Sequence, residues 1–165
     1  MKTRVSKFGS VGDWQKIDER FDSTITKQIN DGSCVAAVGE MLAKHYGLKT
    51  NQQEILQDIG AWSNSFALSE FLVSKETRKG VERFGGGWDP ELDERYVLGV
   101  SQKSVWGVML RKGNPRGHAV LIDGVDENDL IIIKDPFDQT TYKMEAKELY
   151  DVLSEFVLRR RKSND

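Results

Sequence analysis

The sequence predicts an α+β fold: a helical N-terminal half whose best-defined helix packs on an antiparallel sheet made by the C-terminal half. Three observations predict it. Helix formers with apolar residues at helical spacing gather between residues 34 and 79. Short apolar runs separated by turn residues fill the stretch from 105 to 160. Helices first and a meander of strands second is the arrangement of α+β domains, not of alternating βαβ units.

The elements follow in order. Residues 1–27 are polar apart from Trp14, Ile17, Phe21 and Ile25. Their spacing of three and four suggests a short amphipathic helix or a lead-in arm packing on the body, with residues 28–165 as the main domain. Gln28 to Ser33 is a loop by its Asn, Asp, Gly and Ser content. Cys34 to Tyr46 is rich in Ala, Glu, Met, Leu and Lys, which favour a helix, and Gly47 stops it. Thr50 with Gln53 forms a capping-box pattern for a second helix through Ile59. A third helix is expected over Ser63 to Lys79. Gly85-Gly86-Gly87 lacks the Lys-Ser/Thr that follows a phosphate-binding loop, so a flexible turn is expected there. Val105 to Leu110 is a strand candidate and Asn114 to Gly117 a turn, either a plain one or a mobile rim. His118 to Ile122 and Leu130 to Ile133 read as strands joined by the tight turn Asp126–Asp129. Thr140 to Met144 is a further strand, Glu145 to Leu153 a helix and Phe156 to Arg160 a closing strand.

Bulk composition narrows the function. The 165 residues suit one domain with a real core. Charged residues make up 30% and hydrophobic ones 38%, the balance of a globular protein and not of a disordered one. Basic and acidic residues number 24 and 26, for a formal charge of −2, so there is no basic excess to suggest a nucleic-acid partner. The run Arg159-Arg160-Arg161-Lys162 reads as a solvated end, with phosphate contact as the alternative. No apolar run reaches the roughly 20 residues of a membrane span, and Met1 to Ser10 has no apolar stretch that would make it a secretory signal. A cytosolic site of action fits this start, as does a fragment of a larger secreted protein. With one cysteine, no internal disulfide forms. One Cys and two distant His offer no zinc set of usual spacing, and no cofactor is expected.

A cysteine nucleophile needs a lowered thiol pKa, a base, a group orienting that base, and donors for the oxyanion. Cys34 opens a helix, where unpaired N–H groups favour thiolate; the bland alternative is a buried small hydrophobe. His45 lies eleven residues along the same helix, roughly 16 Å away, and cannot serve as its base. His118 starts a strand after Gly117. It is either that base or a strand-end histidine with one backbone bond. A hairpin turning near residue 127 pairs 118 with about 136, which sets Asp135 beside His118. Asp135 alone is equally an Asx-turn before Pro136. Trp62, Trp88 and Trp106 are candidates for lining a cleft or for filling the core.

Gln28, five residues and then Cys34 at a helix start resembles the papain-like cysteine peptidases. There, a glutamine six positions before the cysteine donates to the oxyanion hole. More closely, Gln28…Asp31-Gly-Ser-Cys34-Val-Ala-Ala…Met41…Tyr46-Gly47 resembles the peptidase domains that remove bacteriocin leader peptides in ABC exporters. Gly117-His118-Ala-Val-Leu-Ile-Asp-Gly124 and Lys134-Asp135-Pro136 resemble their histidine strand and Asp-Pro motif. Those domains usually carry glycine directly after the cysteine; this chain carries Val35.

The resemblance implies a papain-like catalytic domain over 28–165, with Cys34 as nucleophile, His118 as base, Asp135 as orienting group and Gln28 as oxyanion donor. It implies a hydrolase acting on a peptide or side-chain amide of a peptide or protein substrate through a thioester. Papain-like domains of this size also occur as bacterial effector or toxin domains, some of them glutamine deamidases, for which an immunity protein is an expected partner. An inactive papain-like module that binds peptides is the remaining class.

Overall fold

The computed structural model describes residues 3–5, 14–76, 82–111 and 116–161. The chain opens with strands β1 (Thr3–Val5) and β2 (Gln15–Phe21). Residues 15–21 are therefore extended, and the amphipathic helix suggested by the sequence does not form. The reason is a bulge. Asp18 has φ of 53°, and the register against the neighbouring strand slips between Ile17 and Arg20. An extra residue in a strand breaks the alternation of two that would betray it. Ile17, which would share a helical face with Phe21, is buried, whereas Phe21 is 69% exposed.

Helix α1 (Cys34–His45) occupies the expected span and buries Val38, Met41 and Leu42. The helix α2 (Gln52–Ile59) is capped one residue later than Thr50: the Asn51 side chain accepts from Glu54 N–H at 2.9 Å. Thr50 instead donates its hydroxyl to Glu54 Oε1 at 3.0 Å. In α3 (Ser65–Lys75), Asn64 caps the start by accepting from Ala67 N–H. Residues 77–79 of the expected third helix lie outside the described residues.

Gly85-Gly86-Gly87 belongs to a strand, β3 (Glu82–Gly87), and not to a flexible turn. Two of the glycines allow close approach: a Cβ on Gly86 would run into the Ser65 carbonyl of α3, and one on Gly87, with φ of 135°, into the Phe66 ring, whereas Gly85 has open space beside it. Helix α4 (Glu94–Lys103) has no counterpart among the sequence expectations; Asp93 caps it by accepting from Tyr96 N–H at 2.7 Å. Strands β4 (Val105–Leu110), β5 (His118–Val125), β6 (Ile131–Asp135) and β7 (Thr140–Met144) lie where the apolar runs place them. Residues 114 and 115 of the expected turn lie outside the described residues. After α5 (Ala146–Val152), the chain closes with β8 (Leu153–Arg161). The arginine run is thus a strand, with Arg159 bound to Glu76 at 3.3 Å and Glu82 at 3.1 Å. Lys162 lies outside the described residues.

The strands form one sheet in the order β1-β2-β7-β6-β5-β4-β8-β3, every neighbouring pair antiparallel. Alternation sorts its side chains into two cores. Trp106, Val108, Val120, Ile122, Ile133 and Tyr142 join Val97 of α4 and Leu149 of α5. Met109, Ala119, Leu121 and Val157 join Val38 and Leu42 of α1 with Ile55 and Leu68 of the next two helices. Helices on both faces explain why the central strands read as unbroken apolar runs. No helix among the described residues is long and apolar enough to cross a membrane.

Candidate active site

The loop before α1 is folded by its own polar side chains. Asn30 Oδ1 accepts from Gly32 N–H at 3.0 Å, and the Ser33 hydroxyl both accepts from Asn30 N–H and donates to Asn30 O. Ser33 is the residue before the helix, and with its hydroxyl so engaged it makes no side-chain cap. The first-turn N–H groups of a helix have no partner within it. The backbone N–H groups of Val35 and of Ala119 in β5 act on the Cys34 thiol in the direction that favours thiolate. Val35 buries its own side chain beside Val38, Leu68 and Met109.

His118 begins β5 and Asp135 ends β6, and both are buried. The registers Leu121 to Lys134 and Ile122 to Ile133 bring these strand ends together. His118 Nε2 lies 2.6 Å from Asp135 Oδ1. His118 and Cys34 each act on the other's ionisation, and since Nε2 is taken by Asp135, Nδ1 is the nitrogen left for the sulfur. Asp135 Oδ1 further accepts from Phe137 N–H at 3.0 Å, and Oδ2 accepts from the Tyr142 hydroxyl at 3.0 Å. Tyr142 in turn accepts from Trp14 Nε1 at 3.1 Å. Trp14 stacks on the imidazole at 6.2 Å between centroids, and Phe137 meets it edge-on at 6.3 Å.

These contacts decide the charges. Burial disfavours charge on all three groups, yet each gains more from its partners than it loses. Burial alone would raise the Cys34 thiol, but the His118 hydrogen bond and charge and the two N–H donors bring it below its ordinary value. Burial would lower His118, but the charge and hydrogen bond of Asp135, and then Cys34, push it up to about 10. Asp135 is held below the usual carboxylate range, against burial, mainly by the His118 charge. Shifts in these directions favour a thiolate–imidazolium pair at neutral pH, with the protons belonging to the pair and not to either residue alone. Burial and the facing Asp135 hold the Tyr142 phenol well above its ordinary value, so it remains a donor.

Gln28 joins the site through its backbone: its N–H donates to Pro136 O at 2.9 Å. Its side-chain nitrogen donates to Asn30 O at 2.8 Å, which occupies one of two hydrogens, while its Oε1 is buried without a partner. Gln52, buried at the start of α2, holds the flanking backbone. Its Oε1 accepts from Ile29 N–H and its Nε2 donates to Lys27 O, both at 2.8 Å. Glu40 of α1 accepts from Gln52 N–H at 2.9 Å and from the Thr26 hydroxyl at 2.7 Å. Of the tryptophans, Trp106 is core, Trp88 is exposed, and Trp62 is partly exposed, bonded by its backbone N–H to Gly32 O and facing Arg116 at 4.4 Å. His45 is exposed on the far turn of α1.

Sequence reasoning gave no site role to Trp14, Tyr142 or Gln52. Tyr142 had the inward alternation of Thr140, Tyr142 and Met144 to recommend it; Gln52 and Trp14 carried no local signal.

Residues 22–165 match the Peptidase C39 family. Cysteine protease effector 1 of Escherichia coli is 30% identical over 150 residues, which cover 90% of this chain and 29% of that protein; the chain thus spans under a third of this relative's length. The peptidase domain of Streptococcus ComA, a bi-functional ABC transporter, superposes with a TM-score of 0.66 at 16% identity, over 83% of this chain and 97% of that domain. A double glycine motif protease from an AMS/PCAT transporter, solved with its leader peptide, gives 0.58 at 15% identity, over 98% and 100%. At such identities the structural likeness is one of fold, the α+β papain-like arrangement described above. The family match takes in most of the chain, and the chain belongs to the Peptidase C39 family of cysteine peptidases.

Proposed function

We propose that this chain cleaves a peptide bond with Cys34 as nucleophile, His118 as acid–base, Asp135 as the group orienting His118, and Gln28 as oxyanion donor. The observation that carries the reading is the 2.6 Å bond from His118 Nε2 to Asp135 Oδ1, on an imidazole whose influence lowers the Cys34 thiol. Cys34 Sγ attacks the carbonyl carbon. The oxyanion meets the Cys34 N–H at the uncapped helix start and the Gln28 amide, and loss of one such donor costs roughly 10²–10³ in rate. His118 Nδ1 gives its proton to the leaving amine. Water, deprotonated by the same nitrogen, then releases the acyl group from the thioester.

The test is alkylation by iodoacetamide at pH 6 together with cleavage of candidate peptides. Rapid modification of Cys34, slowed sharply in His118→Ala, and cleavage lost in Cys34→Ala are expected. Equal slow alkylation in both proteins indicates an inert thiol and a binding module. A mass gain of about one dalton without fragments indicates deamidation, which uses the same acyl-enzyme chemistry.

The name of the E. coli relative, a cysteine protease effector, and its greater length favour a second, compatible reading: the peptidase acts as an effector inside a target cell, as part of a larger protein. Secretion of that protein and an immunity protein as partner complete this reading. Growth arrest on cytosolic expression, abolished by Cys34→Ala, is then expected; arrest that persists in the Ala variant rules out thiol chemistry as its cause.

A further inference from the structure

The buried charges behind the site include one that the mechanism above does not use. Lys16 of β2 is 2% exposed, an uncommon state for a lysine. Its Nζ sits 4.8 Å from the centre of the Tyr142 ring, the same ring whose hydroxyl bonds Asp135 Oδ2. Its ion-pair partner is Glu19, at 3.4 Å. Two residues earlier, Trp14 stacks on His118 and bonds Tyr142. Both residues precede position 22, where the family match begins.

We propose that Lys16 is a positioning residue of the Cys34 site, a fourth buried charge that holds Asp135 as a carboxylate through the Tyr142 contact and so biases the charge of His118 and Cys34. The inference rests on the catalytic reading above and adds a strand ahead of the family segment to the machinery. A solvent-facing lysine would be screened and would do little; a desolvated one acts over several ångströms. Its field on Asp135 acts in the same direction as that of His118, keeping the carboxyl ionised. Among the described residues, the charged and titratable groups facing this cluster are Lys16 and Glu19 of β2, His118 of β5, Asp135 of β6, Asp138 beyond it, Tyr142 of β7 and Cys34 of α1.

The sign is fixed by electrostatics. A positive charge favours deprotonation of every neighbour, so its removal raises the pH at which the Cys34 thiolate forms, and removal of its Glu19 partner lowers that pH. Thiolate absorbance of the intact chain reads this midpoint without any substrate, because Cys34 is the single cysteine, with Cys34→Ser as blank. In Lys16→Met, the midpoint is expected to rise by about one pH unit. Lys16→Arg is expected to keep it, and Glu19→Gln to move it the other way. A midpoint unmoved in both Lys16→Met and Glu19→Gln overturns the proposal, whatever happens to their melting temperatures. Should Lys16→Met fail to fold, the downward shift in Glu19→Gln decides alone. Absence of any thiolate below pH 8 in the unmodified chain overturns the catalytic reading and this one with it, whereas an unmoved midpoint beside normal cleavage overturns only the role of Lys16.

Discussion

Asp135 has both oxygens engaged, Oδ1 by His118 Nε2 and Phe137 N–H and Oδ2 by Tyr142. An asparagine keeps its oxygen toward His118 and Phe137 N–H but supplies no charge, and its amide leaves the Tyr142 hydroxyl without its acceptor. Asp135→Asn should therefore cost about 1–3 kcal/mol of stability, lose about 10²–10⁴ in kcat/KM, and move the alkaline limb of the pH–rate profile downward as His118 loses its counter-ion. A profile of unchanged shape would mean that Asp135 only braces the ring. Stability follows the same charges. His118 is raised from 6.5 to about 10, so its contribution is complete below pH 6.5 and is lost as pH climbs toward 10. Asp135 is lowered, so its contribution is present above its unfolded value and fades as acid reaches its folded one. Melting curves should show Tm falling above neutrality, with a shallower fall in His118→Ala. The meeting of His118 with Asp135 was legible because each lies beside a local boundary signal, Gly117 before one and Pro136 after the other, and a tight turn fixes the pairing. The partnership of Trp14 with Tyr142 spans 128 residues and leaves no trace in either neighbourhood.

Among the elements, the loop ahead of α1 depends on a residue of α2. Gln52 grips the backbone on both sides of Gln28, at Lys27 and Ile29. Gln52→Ala should lower kcat about tenfold or more by loosening Gln28, the proposed oxyanion donor, with the Cys34 alkylation rate unchanged; a slowed alkylation would show that the thiol itself had moved. At the other end of the molecule, Gly86→Ala should cost about 1–3 kcal/mol in urea denaturation, because its new methyl meets the main chain of α3 and not a movable side chain. Elements announced by one strong periodicity, such as α1 or β4 to β7, were legible in the sequence. A bulge at Asp18 hid β2, and a glycine run that serves helix contact disguised β3. Helix α4 escaped notice although Asp93 and Glu94 mark its start, because its apolar face of Tyr96, Val97 and Val100 is small and lies in an otherwise polar stretch.

At the scale of the whole molecule, the sheet is the shared wall of two cores, so damage on either face reaches the other. Leu42 lies on one side and Ile122 on the other, both fully buried. Leu42→Ala and Ile122→Ala should each cost about 2–5 kcal/mol and should still unfold in one step by circular dichroism and tryptophan fluorescence; two separate transitions would show that the layers melt independently. The α+β class was legible from composition and spacing, as were the three helices of the first half and the strands β4 to β7, but not the strands β1 and β2 that precede them. Of the helical cover on the second face, α5 was legible in Glu145 to Leu153, whereas α4 was not. The bond from Gln28 N–H to Pro136 O belongs wholly to the main chain. It latches the loop that precedes the cysteine to the turn that follows the aspartate, two segments a hundred residues apart. No exchange of side chains removes it, short of proline at position 28. The tie between loop and turn thus survives changes in the side chains around it.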